Sequence, residues 1–543
     1  MNGTFRSAGM LTAALALAAG AGAAADRPNF LVIVADDLGY SDIAPFGGEI
    51  DTPALDQLAN DGLRLTQFHT AATCSPTRSM LFSGTDNHRA GLGSMAELLA
   101  PNQKGQPGHE GYLRPEVASL AERLQAGGYR TVMSGKWHLG LKPEQDPHAR
   151  GFDHSFALLP GAANHFGTDG APYTEDGVRL TELPANFYSS DTYADKLIEL
   201  LGKSTAEEGA DKPFFAYLAF TAPHWPLQAH PEDIAKYSGR YAGGYEPLRE
   251  QRLVRQEELG LLDPAVVPHI PTLPGGSWDS LTAEQQREEA RDMEIYAAMV
   301  DRMDHDIGRV LDELRRTGEY DNTVILFFAD NGAEGVGMGP TSMLADRVAA
   351  ADNALDNRGA ANSYVAYGPG WAQAATAPSW RYKAYATEGG TRTPAIIAGP
   401  GIAGPGIARQ GIGTAFLSVQ DVLPTLLDLA GLPADDTFEG RQVEPIRGHS
   451  WGPYLAGTAD RVYGPNDAFG WELFGSRALR RGDWKITDLG DGQWRLFDLA
   501  KDPGETRDLS LAEPERATEL AQAWEAYGEQ VGVILPDSAA YRP

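Results

Sequence analysis

Four short apolar segments divide the chain, and polar residues of catalytic type follow each of them directly. The segments are residues 30–35 (FLVIVA), 131–134 (TVMS), 214–220 (FFAYLAF) and 324–329 (VILFFA). Runs of this length and composition are typical of strands buried on both faces of a sheet. Asp36 and Asp37 follow the first run, Asp330 and Asn331 follow the last, and GKWH and TAPH follow the other two. The pattern predicts an open α/β sheet whose strand ends meet at one ligand site.

A long amphipathic helix is predicted between the third and fourth strands. Thr282 and Gln285 have the spacing of a capping box, which marks the start of a helix. Apolar residues then recur on one helical face as far as Leu314, and Gly318 can end the helix. We interpret this segment as a crossover connection that leads into the strand at 324–329.

Beyond about residue 435 the pattern changes to short strand-like pieces. WKITDL and WRLFDL are joined by Gly/Asp turns, and a terminal helix is predicted over residues 514–531. We therefore expect a catalytic domain over residues 26–435 and a small C-terminal α+β domain over 436–543, with an antiparallel sheet and one helix. The stretch 335–378, rich in Ala, Gly and Asn, is expected to be a long insertion near the site.

Net charge narrows the range of partners. The chain has 45 Lys and Arg against 74 Asp and Glu, which gives a net charge of −29. The resulting field repels polyanions, so we exclude nucleic acid as a partner and expect no preference for sulfated polysaccharides. Salt screens this field over about 8 Å, so a local basic pocket for one small anion is compatible with it.

Residues 1–25 have the layout of a cleaved secretory signal. Arg6 precedes an uncharged run of Ala, Leu and Gly, and three alanines stand before Asp26. An uncleaved membrane anchor is the alternative, but the run is rich in Ala and Gly and ends in an A-x-A site. No later segment is long and apolar enough to span a bilayer. We therefore predict a periplasmic or secreted protein without stable membrane association.

The chain contains a single cysteine, Cys74, so no internal disulfide can form. A lone cysteine is most often a small buried apolar residue, but its neighbours favour another interpretation. Ser75 is predicted to cap a helix with Pro76 in its first turn, which leaves Cys74 at the helix N-terminus. Free backbone N–H groups and the helix dipole suit an anion such as sulfate there. Arg78 lies one turn on and can face the same point.

The segment CSPTRSMLFSG resembles the CxPxR signature of the sulfatase family, in which the cysteine is oxidised to formylglycine (3-oxoalanine). The resemblance continues at ADDLGYSD, GKWHLG, APHWPLQ, DNGAEG and YKAYATEGGTRTP, in family order and across nearly the whole mature chain. Within the family the chain is most similar to bacterial arylsulfatases. The resemblance implies an alkaline-phosphatase-like fold, in which a large mixed, mostly parallel sheet is flanked by helices.

Asp36, Asp37, Asp330 and Asn331 offer only oxygen ligands, which select a hard cation such as Ca²⁺ or Mg²⁺ over zinc. Paired acids after a strand also occur in solvated loops, but two pairs, each directly after a buried strand, favour a metal site. The resemblance favours one Ca²⁺ per chain over Mg²⁺. It also adds the oxidised side chain of Cys74 to the ligands.

The resemblance further implies hydrolysis of small aryl or alkyl sulfate esters to an alcohol or phenol and inorganic sulfate. One hydroxyl of the hydrated aldehyde at residue 74 would attack sulfur and form a sulfated enzyme. His138 is assigned to take the proton of the other hydroxyl, so that sulfate is expelled. Lys136 has the same strand parity as His138, so we expect both to point toward the nucleophile. His224 and Lys383 are assigned to the sulfate oxygens and the leaving-group oxygen.

Two other hypotheses remain open. The same fold and nucleophile could serve phosphate or phosphonate esters, which a comparison of kcat/KM for matched esters would decide. Alternatively, an unmodified protein could bind metal and anion without turnover, because Cys74 needs a separate formylglycine-generating or sulfatase-maturating enzyme as its partner. An aromatic rim that stacks on an aryl group is also predicted. Its candidates are Trp137, His165, Trp225, Tyr364, Tyr367 and Trp371.

Overall fold

The computed structural model describes residues 27–209, 212–273, 276–338, 344–402 and 411–538. The predicted secretory signal lies outside these residues. The strands are β1 (Asn29–Ala35), β2 (Leu63–Leu65), β3 (Phe68–His69), β4 (Arg130–Lys136), β5 (His154–Leu158), β6 (Tyr173–Glu175), β7 (Val178–Arg179), β8 (Phe214–Ala219), β9 (Thr323–Ala329), β10 (Ala395–Ala398), β11 (Ile412–Gly413), β12 (Leu417–Ser418), β13 (Thr437–Phe438), β14 (Arg441–Gln442), β15 (Ala468–Leu473), β16 (Ser476–Arg481), β17 (Trp484–Asp488) and β18 (Arg495–Asp498).

The α-helices connect these strands and cover both faces of the main sheet. They are α1 (Pro53–Asp61), α2 (Cys74–Ser83), α3 (Asn87–Ala90), α4 (Leu120–Ala126), α5 (Ser189–Glu208), α6 (Pro231–Lys236), α7 (Tyr245–Glu258), α8 (Ala283–Thr317), α9 (Ala345–Ala350), α10 (Gly368–Ala375), α11 (Glu388–Thr391), α12 (Val422–Leu429), α13 (Gly452–Leu455) and α14 (Pro514–Val531). In the part of the chain that is described, no helix combines the length and the apolar character needed to span a bilayer.

The large sheet is mixed and mostly parallel, as predicted. Its ten described strands run in the order β11-β2-β10-β9-β1-β8-β4-β5-β6-β7. The central strand β1 is parallel to both β8 and β9, and β4 is parallel to β8 and β5. The strands β10, β6 and β7 add antiparallel pairs toward the two edges. The carboxyl ends of β1, β4, β8 and β9 therefore lie side by side, which confirms the convergence expected from the four apolar runs.

Alternate residues of the central strands enter two hydrophobic cores. Leu31 and Ile33 pack in the core that contains the apolar face of α8, and Phe30 and Val32 pack on the opposite face with α2, α4 and α12. Because both faces are covered, β1 is buried along its whole length. The predicted crossover helix is confirmed as the 35-residue α8, which begins with a capping box at Thr282 and ends at a left-handed Gly318.

The C-terminal part forms the antiparallel sheet and helix that the sequence predicts. Strands β15 to β18 pair in order, and α14 packs on them through Leu520 and Trp524 against Leu479 and Ile486. Trp451 and neighbouring apolar residues continue the second core of the main sheet. The division at residue 435 stays a prediction. The stretch expected to be an insertion, 335–378, contains α9 and α10 within its described residues.

Candidate active site

Cys74 lies at the first turn of α2 with its side chain inside the protein. Thr73 precedes the helix with extended backbone, and Ser75 is already helical. The prediction that Ser75 caps this helix is therefore wrong, and its hydroxyl has no hydrogen-bond partner among the described residues. The Cys74 thiol is 1% exposed and donates toward Asp36 Oδ1 at 3.3 Å, with Asp37 Oδ1 at 3.9 Å. The predicted position of Cys74 at a helix N-terminus is confirmed.

The four predicted oxygen ligands meet beyond the ends of β1 and β9. Because Ala35 pairs with Ala329, the residues that follow each strand are neighbours. The backbone N–H of Asp37 donates to Asp330 Oδ1 at 3.3 Å, and Asn331 Nδ2 donates to Asp37 Oδ1 at 2.7 Å. Asn331 Oδ1 is buried and has no hydrogen-bond donor within the described part of the chain. Asp37 has a φ of 67°, and this left-handed backbone turns it away from the direction of the strand.

One group of ligand atoms in the described residues is compact enough to hold a metal ion. Side-chain atoms of Asp36, Asp37, Cys74 and His224 all lie within 4.8 Å of one another, and all four residues are buried. His224 was expected at the sulfate oxygens, so its membership of this group was missed. The Cys-His component alone would suit softer metals, whereas the carboxylates and the free Asn331 oxygen suit a hard cation.

Two buried lysines neutralise the carboxylates beside Cys74. Lys136 Nζ donates to Asp36 Oδ2 at 2.6 Å, and Lys383 Nζ donates to both carboxylate oxygens of Asp37 at 2.8 and 2.9 Å. Lys136 is the last residue of β4, whereas Lys383 comes from a segment more than 340 residues along the chain from Asp37. The two lysines therefore balance the charges of Asp36 and Asp37 and place charged N–H donors beside the nucleophile.

Arg78 fixes the third carboxylate of the centre. Its Nε and Nη2 donate to Asp330 Oδ2 at 3.0 and 2.8 Å, and its Nη1 donates to the carbonyl of Lys136 at 2.9 Å. The guanidinium is fully buried. Arg78 therefore links the residue after β9 to the last residue of β4 by hydrogen bonds. In this arrangement it positions Asp330 and Lys136.

Burial and charge set the protonation of this centre. Burial alone would raise the pKa of Asp37, but the charges of Lys383 and Lys136 outweigh it and hold the pKa below its usual range. Burial alone would lower the pKa of Lys383, but Asp37 outweighs it and raises the pKa. Burial lowers the pKa of His224 to about 3, so its imidazole is neutral and offers a lone pair.

His138 lies beyond the end of β4, so the alternation of side chains along that strand does not set its direction. Strand β4 ends at Lys136, and His138 follows with a left-handed φ of 57°. Its Nε2 lies 3.1 Å from Glu97 Oε1, while Nδ1 is buried and meets no hydrogen-bond partner in the residues that the structure describes. Among the hydrogen bonds of the described chain, His138 makes none to Cys74. Glu97 was missed because it lies in a separate 3₁₀ turn, Ala96–Leu98, with no motif around it.

A second missed carboxylate, Glu334, lies at the other side of the centre. Its Oε2 is 3.1 Å from Lys383 Nζ and accepts from Trp225 Nε1 at 3.4 Å. The rings of Trp225 and Tyr364 are 6.0 Å apart and partly exposed. The other four predicted rim residues are buried in the core, so that part of the prediction is wrong. They are Trp137, His165, Tyr367 and Trp371.

Comparisons with known proteins agree with this geometry. A family model described as Sulfatase matches residues 28–432. An uncharacterised sulfatase of Schizosaccharomyces pombe is 47% identical over 94% of this chain and 95% of its own length. The arylsulfatase of Klebsiella aerogenes is 41% identical over 80% of this chain and 93% of its own length. A structure solved with its substrate D-glucosamine-2-N,6-O-disulfate shares the fold, with a TM-score of 0.60, 20% identity, and coverage of 95% of this chain and 100% of that one. The chain therefore belongs to the sulfatase family, and it is a sulfuric ester hydrolase.

Proposed function

We propose that this enzyme is an arylsulfatase that hydrolyses small aryl or alkyl sulfate esters to a phenol or alcohol and inorganic sulfate. The observation that carries the proposal is the position of Cys74 at the first turn of α2, within hydrogen-bonding distance of Asp36. The cations Lys136 and Lys383 lie on the carboxylates beside it. The 41% identity to a bacterial arylsulfatase supports a small aryl ester over a polymer.

The nucleophile in this proposal is residue 74 after oxidation of its thiol to an aldehyde and hydration. One hydroxyl of the hydrate attacks sulfur, the ester oxygen leaves with a proton, and residue 74 carries the sulfate. His138 then takes the proton of the second hydroxyl, the bond from carbon to the sulfate oxygen breaks, and the aldehyde re-forms. We assign Lys383 and His224 to the sulfate oxygens and the leaving oxygen, and Arg78 and Lys136 to holding the centre in position.

Ca²⁺ is the cation we propose for the centre, held by Asp36, Asp37, Asp330, Asn331 and the oxidised side chain of residue 74. Four of these residues offer carboxylate or amide oxygens, and the buried Asn331 Oδ1 has no hydrogen-bond donor among the described residues, so the set fits a hard cation. When bound, the cation favours the deprotonated form of the attacking hydroxyl. Mg²⁺ is the less favoured alternative because it demands a more regular octahedral shell.

Two further parts of the proposal concern the export and the maturation of the protein. We propose export to the periplasm or medium, supported by the layout of residues 1–25. We also propose a formylglycine-generating or sulfatase-maturating enzyme as a partner, because no residue of the described site supplies the oxidant that Cys74 needs. The two tests are the N-terminal sequence of the mature protein and the loss of activity in cells that lack such an enzyme.

Turnover of matched esters tests the proposed activity. Matured protein with Ca²⁺ is expected to release 4-nitrophenol from 4-nitrophenyl sulfate with a higher kcat/KM than from 4-nitrophenyl phosphate, and Cys74→Ala is expected to release none. A serine at residue 74 has no second hydroxyl, so Cys74→Ser is expected to stop after one sulfation. A preference for the phosphate ester would support the alternative substrate class. Calcium and sulfate binding without turnover would support the binding-only hypothesis.

A further inference from the structure

A polar cavity apart from the centre at Cys74 lies between the segment that follows β2 and the C-terminal sheet. Its volume is about 270 Å³. None of the residues assigned to the reaction lines it. Two arginines, Arg392 and Arg480, line this cavity although both are largely buried, with 5% and 8% of their surface exposed. We call it the Arg392–Arg480 cavity.

Arg392 uses little of its hydrogen-bonding capacity within the protein. Its Nη2 donates to Ser379 Oγ at 2.9 Å, and its guanidinium carbon lies 4.3 Å from the ring centre of Tyr40. Its Nε is buried and has no acceptor in the described chain. A planar guanidinium with free donors is suited to an oxyanion, which accepts from several N–H groups together.

Arg480 reaches the same cavity from the middle of the C-terminal sheet. Its Nε donates to the carbonyl of Gly482 at 2.9 Å, and its Nη1 donates to Gln67 Oε1 at 3.1 Å. These partners are neutral. Burial lowers the pKa of Arg480, Glu388 and Asp483 oppose that shift, and the charge of Arg392 lowers the pKa further.

No carboxylate of the described residues forms an ion pair with either arginine. Glu388, which acts on Arg480 from a longer distance, is bound to Lys485 at 2.8 Å and to His69 at 3.0 Å. Asp263 and Asp483 also line the cavity, but both are exposed to water at its rim. A buried guanidinium without a directly paired anion is unfavourable, because it has lost hydration that no carboxylate contact replaces. A bound anion would reduce this penalty for both arginines.

We propose that the Arg392–Arg480 cavity is a second anion site, which binds one small oxyanion of the sulfate or hydrogen phosphate class. Two positive charges match a dianion, and the free donors of two planar groups match its tetrahedral oxygens. The volume accommodates such an ion together with water. This site is separate from the centre at Cys74, so the proposal holds whichever ester the enzyme cleaves.

Equilibrium dialysis with radiolabelled sulfate tests the proposal on the matured full-length protein. The double variant Arg392→Gln/Arg480→Gln is expected to bind one sulfate fewer per chain than the wild type, while turnover of 4-nitrophenyl sulfate persists. Arg461→Gln is the matched control, because Arg461 is also cationic but 59% exposed and paired with Asp460. Its sulfate stoichiometry is expected to equal that of the wild type.

A charge-conserving variant keeps the test valid if the double variant does not fold. Arg392→Lys retains the charge but not the planar donors, so sulfate is expected to bind the cavity about tenfold more weakly. Unlabelled phosphate, added to the dialysis, tests whether the cavity distinguishes sulfate from phosphate. Displacement of radiolabelled sulfate by phosphate would indicate a general oxyanion site, and no displacement would indicate a sulfate-selective one. Unchanged stoichiometry in the double variant, or unchanged affinity in Arg392→Lys, would overturn the proposal.

Discussion

A buried charge network joins the C-terminal sheet to α11, and replacing its cation gives a quantitative prediction. Lys485 on β17 is fully buried and lies 2.8 Å from Glu388 Oε1 and 3.0 Å from Glu505 Oε1. His69 Nε2 contacts the other oxygen of Glu388 at 3.0 Å. The substitution Lys485→Met keeps a long apolar stem and removes the charge. It leaves two buried carboxylates facing each other without their shared cation.

The expected loss of stability follows from burial and from proton linkage. Removing one partner of a buried ion pair costs about 3–5 kcal/mol. Burial raises the pKa of Glu505 to about 7, while Lys485 opposes the shift and Glu388 adds to it. Burial alone would raise the pKa of Glu388, but Lys485 and His69 hold it well below its usual range. In the variant both pKa values rise, so the folded variant binds more protons than the folded wild type.

Stability of the variant must therefore fall more steeply than that of the wild type as pH rises. Each additional proton adds a slope of about 1.4 kcal/mol per pH unit. Urea unfolding followed by tryptophan fluorescence at pH 5.5, 6.5, 7.5 and 8.5 measures this deficit. The control Glu505→Gln keeps the Lys485–Glu388 pair and removes a carboxyl with a raised pKa, so above pH 7 it is expected to be more stable than the wild type by about 3 kcal/mol or less. A Lys485→Met deficit below about 1 kcal/mol, or one that does not change with pH, would refute this reasoning.

Four further predictions concern strand geometry, catalysis, pH and metal. Gly135→Ala is expected to lose about 3 kcal/mol or more in urea unfolding, because φ is +117° and a Cβ would lie 1.9 Å from a carbonyl oxygen of β8; an unchanged midpoint would contradict it. Glu97→Gln is expected to lower kcat about tenfold at constant KM, because Glu97 orients His138, and equal kcat values would show that it does not. Burial alone would lower the pKa of His88, but Asp86 and Glu472 outweigh it and raise the pKa to about 9. The stability that protonated His88 contributes is therefore lost as pH rises from 6.5 to 9, and His88→Gln should lack that slope in the same unfolding series. Chelation is expected to abolish ester turnover, with recovery on adding Ca²⁺ and less recovery with Mg²⁺; full activity in chelator would exclude the proposed cation.

Much of the active centre could be predicted because it follows directly from buried strands. Asp36, Asp330 and Lys136 stand at the ends of parallel neighbours, so apolar periodicity alone indicates that they meet. The position of Lys383 has no such local signal, because it depends on a long segment that folds back to the end of β1. Only the family resemblance selected it. Glu97 had neither signal, since it reaches His138 from a short turn outside the sheet.

The errors have physical causes that a single sequence does not reveal. Thr73 and Ser75 are both suitable caps on either side of Cys74, and the backbone before the helix decides between them. Trp137 and Trp371 could be buried because their indole N–H groups donate to backbone carbonyls inside the protein, at 2.8 and 3.0 Å. Which tryptophan finds such a carbonyl depends on tertiary contacts, so aromatic residues near a motif do not identify a pocket rim.

The proposed reaction requires an aldehyde at residue 74. Tryptic cleavage releases residues 65–78 as one peptide that contains this position. The most direct test is the mass of that peptide from natively produced protein whose turnover of 4-nitrophenyl sulfate has been measured in the same sample. We predict that the fraction of chains with the aldehyde rises in proportion to the measured turnover from one sample to the next. An intact thiol throughout a sample that hydrolyses the ester would contradict it.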